Sequence, residues 1–329
     1  MLFRKSVTEP IRYGYAVGRV RVLEGRMLSG GTYERLLDAP TFGEQKRVLS
    51  DSPYGRFLEE AETVEGIERG LGLALDELYG FLVTANLPSP VIRFFRVRYD
   101  YANLEARLKA ELLGVPVEDL LVGLGTVPIE VVKGSAAQLP KFLRDIYMSL
   151  SAEDCAVSEE QITGVVDHAL FEDLNTAAKS SKSRFLTGLA ALMVDLANVK
   201  ALLRARSKNW RAPDAEALLL DGGNTPLAEL MKLYPVPITE IAELLSKRGP
   251  LKGVPADRIA DLGNYDVLAD DLIVRYLKRA RMVAAGPEPV IGYVMARQAE
   301  VMMLRMLLIG RLSGVPTEVL RRRLRERYE

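Results

Sequence analysis

Two acid–amide pairs are the residues best placed to do chemistry. Asp100 and Asn103 stand three apart, as do Asp195 and Asn198, a spacing that puts both members of a pair on one helix face. Glu300 takes the acidic place in a third copy, where Met303 replaces the amide. Three carboxylates brought together could hold a divalent cation or act as general acid and base. Equivalent places in a repeated module also arise from architecture alone, as a buried helix–helix hydrogen-bonding contact copied with the module. The architectural reading is preferred. Di-metal carboxylate bundles pair their acids with Glu-x-x-His motifs, and this chain has a single histidine.

That histidine, His168, follows Asp167 in a helical stretch and has no nucleophile motif beside it, so it reads as a surface or interface residue. Cys155 follows Glu153 and Asp154, whose negative charge disfavours a thiolate, and reads as unreactive. One cysteine allows no internal disulfide, and one His with one Cys cannot complete a zinc site. No phosphate-binding glycine loop, dinucleotide fingerprint or Gly-x-Ser-x-Gly elbow occurs. The 329 residues balance 44 Lys+Arg against 44 Asp+Glu, leaving no global field to draw nucleic acid. No metal, cofactor, nucleotide or nucleic acid is expected. Charge departs from this balance in residues 320–327, where Arg321, Arg322, Arg323 and Arg325 cluster. A solvated helix face explains such a run; docking onto an acidic partner or anionic headgroups is the functional reading.

The elements that must position these residues read as helices. Leu, Ala, Glu, Arg and Met are frequent, and alternating β-branched runs are scarce. One long helix opens at Ser89-Pro90 and closes at Gly114-Val115-Pro116; another opens at Glu288-Pro289 and closes at Gly314-Val315-Pro316. The methionines at 302, 303 and 306 read as core filler. Glycine turns recur ahead of short helical stretches, at Gly30-Gly31, Gly123–Gly125 and Gly222-Gly223. The repeats predict an all-α chain of three helical modules, each roughly 100 residues, with boundaries at 1–114, 115–210 and 211–329, the last carrying the basic tail. Residues 1–10 lack the apolar core of a signal peptide. No uncharged apolar run approaches the roughly 18–20 residues of a spanning helix. The nearest candidate, residues 289–312, carries Arg297, Glu300, Arg305 and Arg311, so no transmembrane segment is expected.

Four segments in order carry a family resemblance: Tyr13-Gly-Tyr-Ala16 with Arg19-Val-Arg-Val-Leu-Glu24, then Arg98-Tyr-Asp-Tyr-Ala-Asn-Leu104, then residues 194–206, then Gly286-Pro-Glu-Pro-Val-Ile291 with the helix running to Pro316. The chain closely resembles the C subunit of V-type and archaeal-type rotary ATPases, whose eukaryotic counterpart is the d subunit. The resemblance implies a funnel of helices with pseudo-threefold symmetry. Such a protein is a non-catalytic socket of the central stalk, peripheral on the cytoplasmic side of the membrane. It receives the shaft (D and F type subunits) in one mouth and rests on the membrane proteolipid ring with the other, in ATP-linked proton or sodium transport. On this reading Asp100, Asn103, Asp195, Asn198 and Glu300 line or brace the central axis, and Arg321, Arg322, Arg323 and Arg325 meet a rotor partner. Met303 departs from the repeated amide and argues for structure over chemistry. The alternatives are a helical scaffold that binds a partner helix and a carboxylate-metal enzyme.

Overall fold

The computed structural model describes residues 8–151 and 157–329, with the side chains of 8–12 and 119 excepted. Every regular element among them is a helix, so the expected all-α class holds. Cys155 lies outside the described residues. The chain forms two compact units, one from Pro88–Ile241 and the other from residues up to Leu87 together with those from Ala242 onward.

In the Pro88–Ile241 unit, α4 (Ser89–Leu113) packs along α5 (Glu159–Ser180), which turns back at Lys182, in the left-handed region at φ 58°, into α6 (Arg184–Ser207). Phe94, Leu104, Leu174, Ala178, Leu189 and Leu203 are among the buried side chains of these helices. Polar ties flank that core. The Arg93 guanidinium grips the Asp173 carboxylate with two nitrogens, one at 2.8 Å, and the Thr163 hydroxyl donates to Glu105 at 2.7 Å.

In the other unit, α8 (Glu288–Leu312) packs against α1 (Thr8–Glu24) and α3 (Val64–Thr84), with Phe81 edge-on to Tyr293. α2 (Gly30–Asp38) is capped by Ser29, whose hydroxyl accepts the Thr32 N–H. The buried Gln45 amide donates to the Leu36 carbonyl at 2.8 Å and so ties the following helix to α2. α7 (Tyr265–Lys278) packs on α8 as well.

α4 and α8 both begin at the expected residue, with proline in the first turn. Ser89 is the first helical residue, and no side chain caps that end. α4, α6 and α8 stop in the same way: a residue in the left-handed region follows each (Gly114 at φ 66°, Asn209 at 52°, Gly314 at 72°). The next amide then reaches back five residues, from Val115 to Ala110, Trp210 to Ala205 and Val315 to Gly310, at 2.8–3.0 Å. This closure satisfies carbonyls that the last turn would leave unpaired.

Among the described residues, one helix, α6, is long and apolar enough to cross a membrane by length and composition, whereas the sequence reading expects no such run and takes residues 289–312 as the nearest candidate. Its apolar stretch is mostly buried inside the unit. Asp195 and Asn198, polar residues within it, are bonded to the protein's own backbone. It therefore reads as a core helix.

Candidate functional site

The two acid–amide pairs hold glycine turns. From α4, the Asn103 side-chain amide donates to the Val122 carbonyl at 2.9 Å and accepts the Val122 N–H at 2.8 Å. One turn earlier, Asp100 accepts the Val127 N–H at 2.9 Å and the Thr126 hydroxyl at 2.5 Å. α6 repeats the arrangement. Asn198 makes the same double bond with Leu220 at 2.8 and 2.7 Å. Asp195 accepts the backbone N–H groups of Asn224 and Thr225 and the Asn224 side-chain amide. All four side chains are buried. The turns come close enough that a Cβ at Gly125 would overlap the Asp100 carboxylate and one at Gly223 the Asp195 carboxylate, which is why these positions take glycine.

On α8 the pattern changes. Met303 offers no amide, and the longer Glu300 side chain reaches the turn by itself. Its Oε1 accepts the Leu28 N–H at 2.6 Å, two residues before Gly30. Its Oε2 accepts the Tyr54 hydroxyl at 2.9 Å and pairs with Arg297 at 2.9 Å. The Arg297 guanidinium lies 4.3 Å over the Tyr54 ring, a cation–π contact strengthened by desolvation. In all three helices the acid stands fourteen residues before the left-handed residue that ends the helix.

Burial raises both Asp100 and Glu300 above the ordinary carboxylate value. Thr126, Val127 and Arg93 oppose this at Asp100; Arg297, Leu28 and Tyr54 oppose it at Glu300. Both oxygens of each acid are occupied by protein donors. Such an arrangement orders loops against helices and turns both oxygens of each acid toward the protein's own donors. Among the described residues no three His, Cys, Asp or Glu side chains are grouped to share a metal ion. Sequence reasoning noticed the acids and the glycine turns separately and missed that one holds the other. Their common recurrence was the signal available. The sequence boundaries at Gly114 and Trp210 fall between each acid-bearing helix and the turn that it holds.

His168 is exposed, with Nε2 3.1 Å from the Ala217 carbonyl, and lines an open cleft of about 560 Å³ with Glu172, Asn175 and Lys179. The arginine cluster is largely engaged within the chain. Arg321 pairs with Glu34 and Asp38, Arg325 with Asp270 at 3.0 Å, and Arg323 donates to the Gly263 carbonyl. Arg322 faces solvent. Beyond it the chain runs without helix as a strap across α7, α2 and α1. Glu326 meets Arg275 and Lys278, Tyr328 is buried with its hydroxyl on Glu24, and Glu329 accepts the Gly30 N–H at 2.7 Å. The sequence reading treats this segment as a basic tail and misses the strap, because its partners lie some 50 to 300 residues away and follow no period.

Comparison with known proteins finds similarity over nearly the whole length. The C subunit of the V-type sodium ATPase of Enterococcus hirae is 22% identical over 320 residues, 94% of this chain and 97% of the relative. The C subunit of the A-type ATP synthase of Thermococcus onnurineus is 26% identical, covering 89% and 84%. Its counterpart in the V-type ATP synthase of Thermus thermophilus is 26% identical, covering 92% and 95%. The family model described as ATP synthase (C/AC39) subunit matches residues 16–323, and the chain belongs to that family.

Proposed function

We propose that the chain is the non-catalytic socket of the central stalk in a V-type rotary ATP synthase or ATPase. It passes rotation between the shaft, made of D and F type subunits, and the proteolipid ring during ATP-linked proton or sodium transport. It is peripheral, on the cytoplasmic side of the membrane. Three helical modules, related by a pseudo-threefold axis and together shaped as a funnel, form the body that turns. Asp100, Asn103, Asp195, Asn198 and Glu300 brace the modules around that axis.

The observation that carries this reading is the repeated clasp, in which every buried acid is spent on holding a loop. A part that transmits torque needs loops fixed to long helices, so that load does not shear them, and it needs no reactive group. Apolar surface for a ring partner is available where the acid-bearing helices end: Leu112, Leu113 and Val115 at the end of α4, and Leu312 and Val319 at and beyond the end of α8, are exposed. Within the arginine cluster, Arg322 and Arg323 are exposed and form no ion pair among the described residues, which leaves their charge available to a rotor partner.

The test is assembly. Purified chain should bind a D–F shaft pair and, separately, detergent-solubilised proteolipid ring, and should restore coupled ion pumping to a rotary complex from which the native socket has been stripped. Binding to neither partner rejects the socket and leaves the helical adaptor.

A further inference from the structure

We infer that the strap is a latch: it closes the turn held by Glu300 without a peptide bond, and it releases that turn while the Glu300 clasp holds. In α4 and α6 the held turn comes next along the chain. Val127 follows Asp100 by 27 residues, and Thr225 follows Asp195 by 30, so continuous backbone leads from each helix to its turn. For α8 the order is broken, because Leu28 precedes Glu300 by 272 residues. Yet the chain leaving α8 still travels to its turn. It runs along α7 as the strap and meets Gly30, whose N–H the Glu329 carboxylate accepts at 2.7 Å. A Cβ at Gly30 would overlap the Arg327 guanidinium, so strap and turn are in close contact. Gly30 is already bonded to Ser29, and side chains must bridge what backbone bridges at the other two turns.

That bridge is held mostly by charge. Glu326 sits between Arg275 at 2.6 Å and Lys278 at 3.0 Å, its N–H reaches Asp271 at 2.6 Å, and Arg325 meets Asp270 at 3.0 Å. The Arg281 guanidinium donates to the Tyr328 carbonyl at 3.3 Å. Arg275 is 51% exposed, and pairs of this kind are weak and screened by salt. Of residues 323–329, Tyr328 alone is buried. The clasp beneath differs in kind. Glu300, Arg297 and Tyr54 are all buried, and they hold Leu28 through bonds that do not involve the strap. Opening therefore has two levels. Release of the strap frees Gly30 and uncovers the Tyr328 site, and water takes over the partners of the exposed charges. Release of Leu28 would strand a buried carboxylate. Segments with few buried contacts open locally at low free energy, so opening stops at the first level. Of the three acid-held turns, the one on α8 is the turn that salt loosens.

The experiment follows hydrogen exchange of the full chain by mass spectrometry over residues 28–33, 122–127 and 220–225, at low and high salt. Because Lys278 and Glu326 are in contact, a zero-length carbodiimide joins them through an amide and locks the strap. Lys278→Arg keeps the charge, cannot be joined, and controls for coupling elsewhere. Residues 28–33 should exchange about tenfold or more faster than the other two turns, and faster again in high salt. Locking should slow them to the rate of those turns, and Lys278→Arg treated alike should stay fast. Equal, salt-independent exchange at the three turns overturns the latch. So does locking that leaves residues 28–33 unchanged, or equal slowing in Lys278→Arg. Failure of the reagent to join Lys278 to Glu326, read by peptide mapping, means that the strap does not lie on α7 in solution and overturns it as well.

Discussion

Glu300 accepts the Leu28 amide at 2.6 Å across 272 residues of sequence, with Arg297 and Tyr54 on its other oxygen. The pair joins the last long helix to the first glycine turn. Removing one member of a buried ion pair strands the other, at about 3–5 kcal/mol. Arg297→Met should therefore lower unfolding stability by that amount, and Arg297→Met/Glu300→Gln should recover part of it. Urea unfolding of these two variants and of Glu300→Gln alone checks this; additive losses would mean that the pair is not coupled.

Glycine at 125 and 223 is required by contact with Asp100 and Asp195. Gly125→Ala and Gly223→Ala should each cost about 1–3 kcal/mol, because backbone or carboxylate must move. Gly164 in α5 has open space around it, and Gly164→Ala should stabilise by about 0.5–1 kcal/mol. Thermal unfolding of the three variants should split two against one.

Asp100 titrates above its ordinary value because it is buried. A folded value above the unfolded one means that the native state holds the proton more tightly. Stability from this group is then fullest below about pH 4 and is lost as pH rises through the raised value. Asp100→Asn does not titrate. Its stability relative to the wild type should improve between about pH 4 and pH 7, although it loses an acceptor at both. A pH-independent difference in urea midpoint would contradict this.

The acid–turn clasp was half legible in the sequence. Helical spacing placed Asp100 and Asn103 on one face, and the glycine pairs marked turns, since both signals are local. Which turn each acid holds was not legible, because that depends on how the chain folds back after Gly114 and Asn209. Local signals likewise fixed the ends of α4 and α8, through proline at the start and glycine past the end. The charged run at 320–327 misled for the opposite reason. Its composition resembles a solvated face, and Arg322 lies on one, yet Arg321 and Arg325 are paired with Glu34, Asp38 and Asp270 from elsewhere in the chain.

Tyr328 closes the strap, buried with its ring against Gly292 and its hydroxyl on Glu24 at 3.2 Å. Tyr328→Phe removes one hydrogen bond and should cost about 1 kcal/mol. Tyr328→Ala removes the ring and should cost about 3–5 kcal/mol. Hydrogen exchange should quicken at the start of α2, where Glu329 holds Gly30. Unchanged exchange there would show that the strap only decorates the surface.

Because Leu28 waits for Glu300, a segment that leaves the ribosome early finds its partner 272 residues later. At roughly 5–20 residues per second, the delay over 272 residues is on the order of tens of seconds. Through that interval the face of α1 that α8 covers stays open and α2 has only the helix that follows it to pack on, so newborn chains should need holding factors more than their helical content suggests.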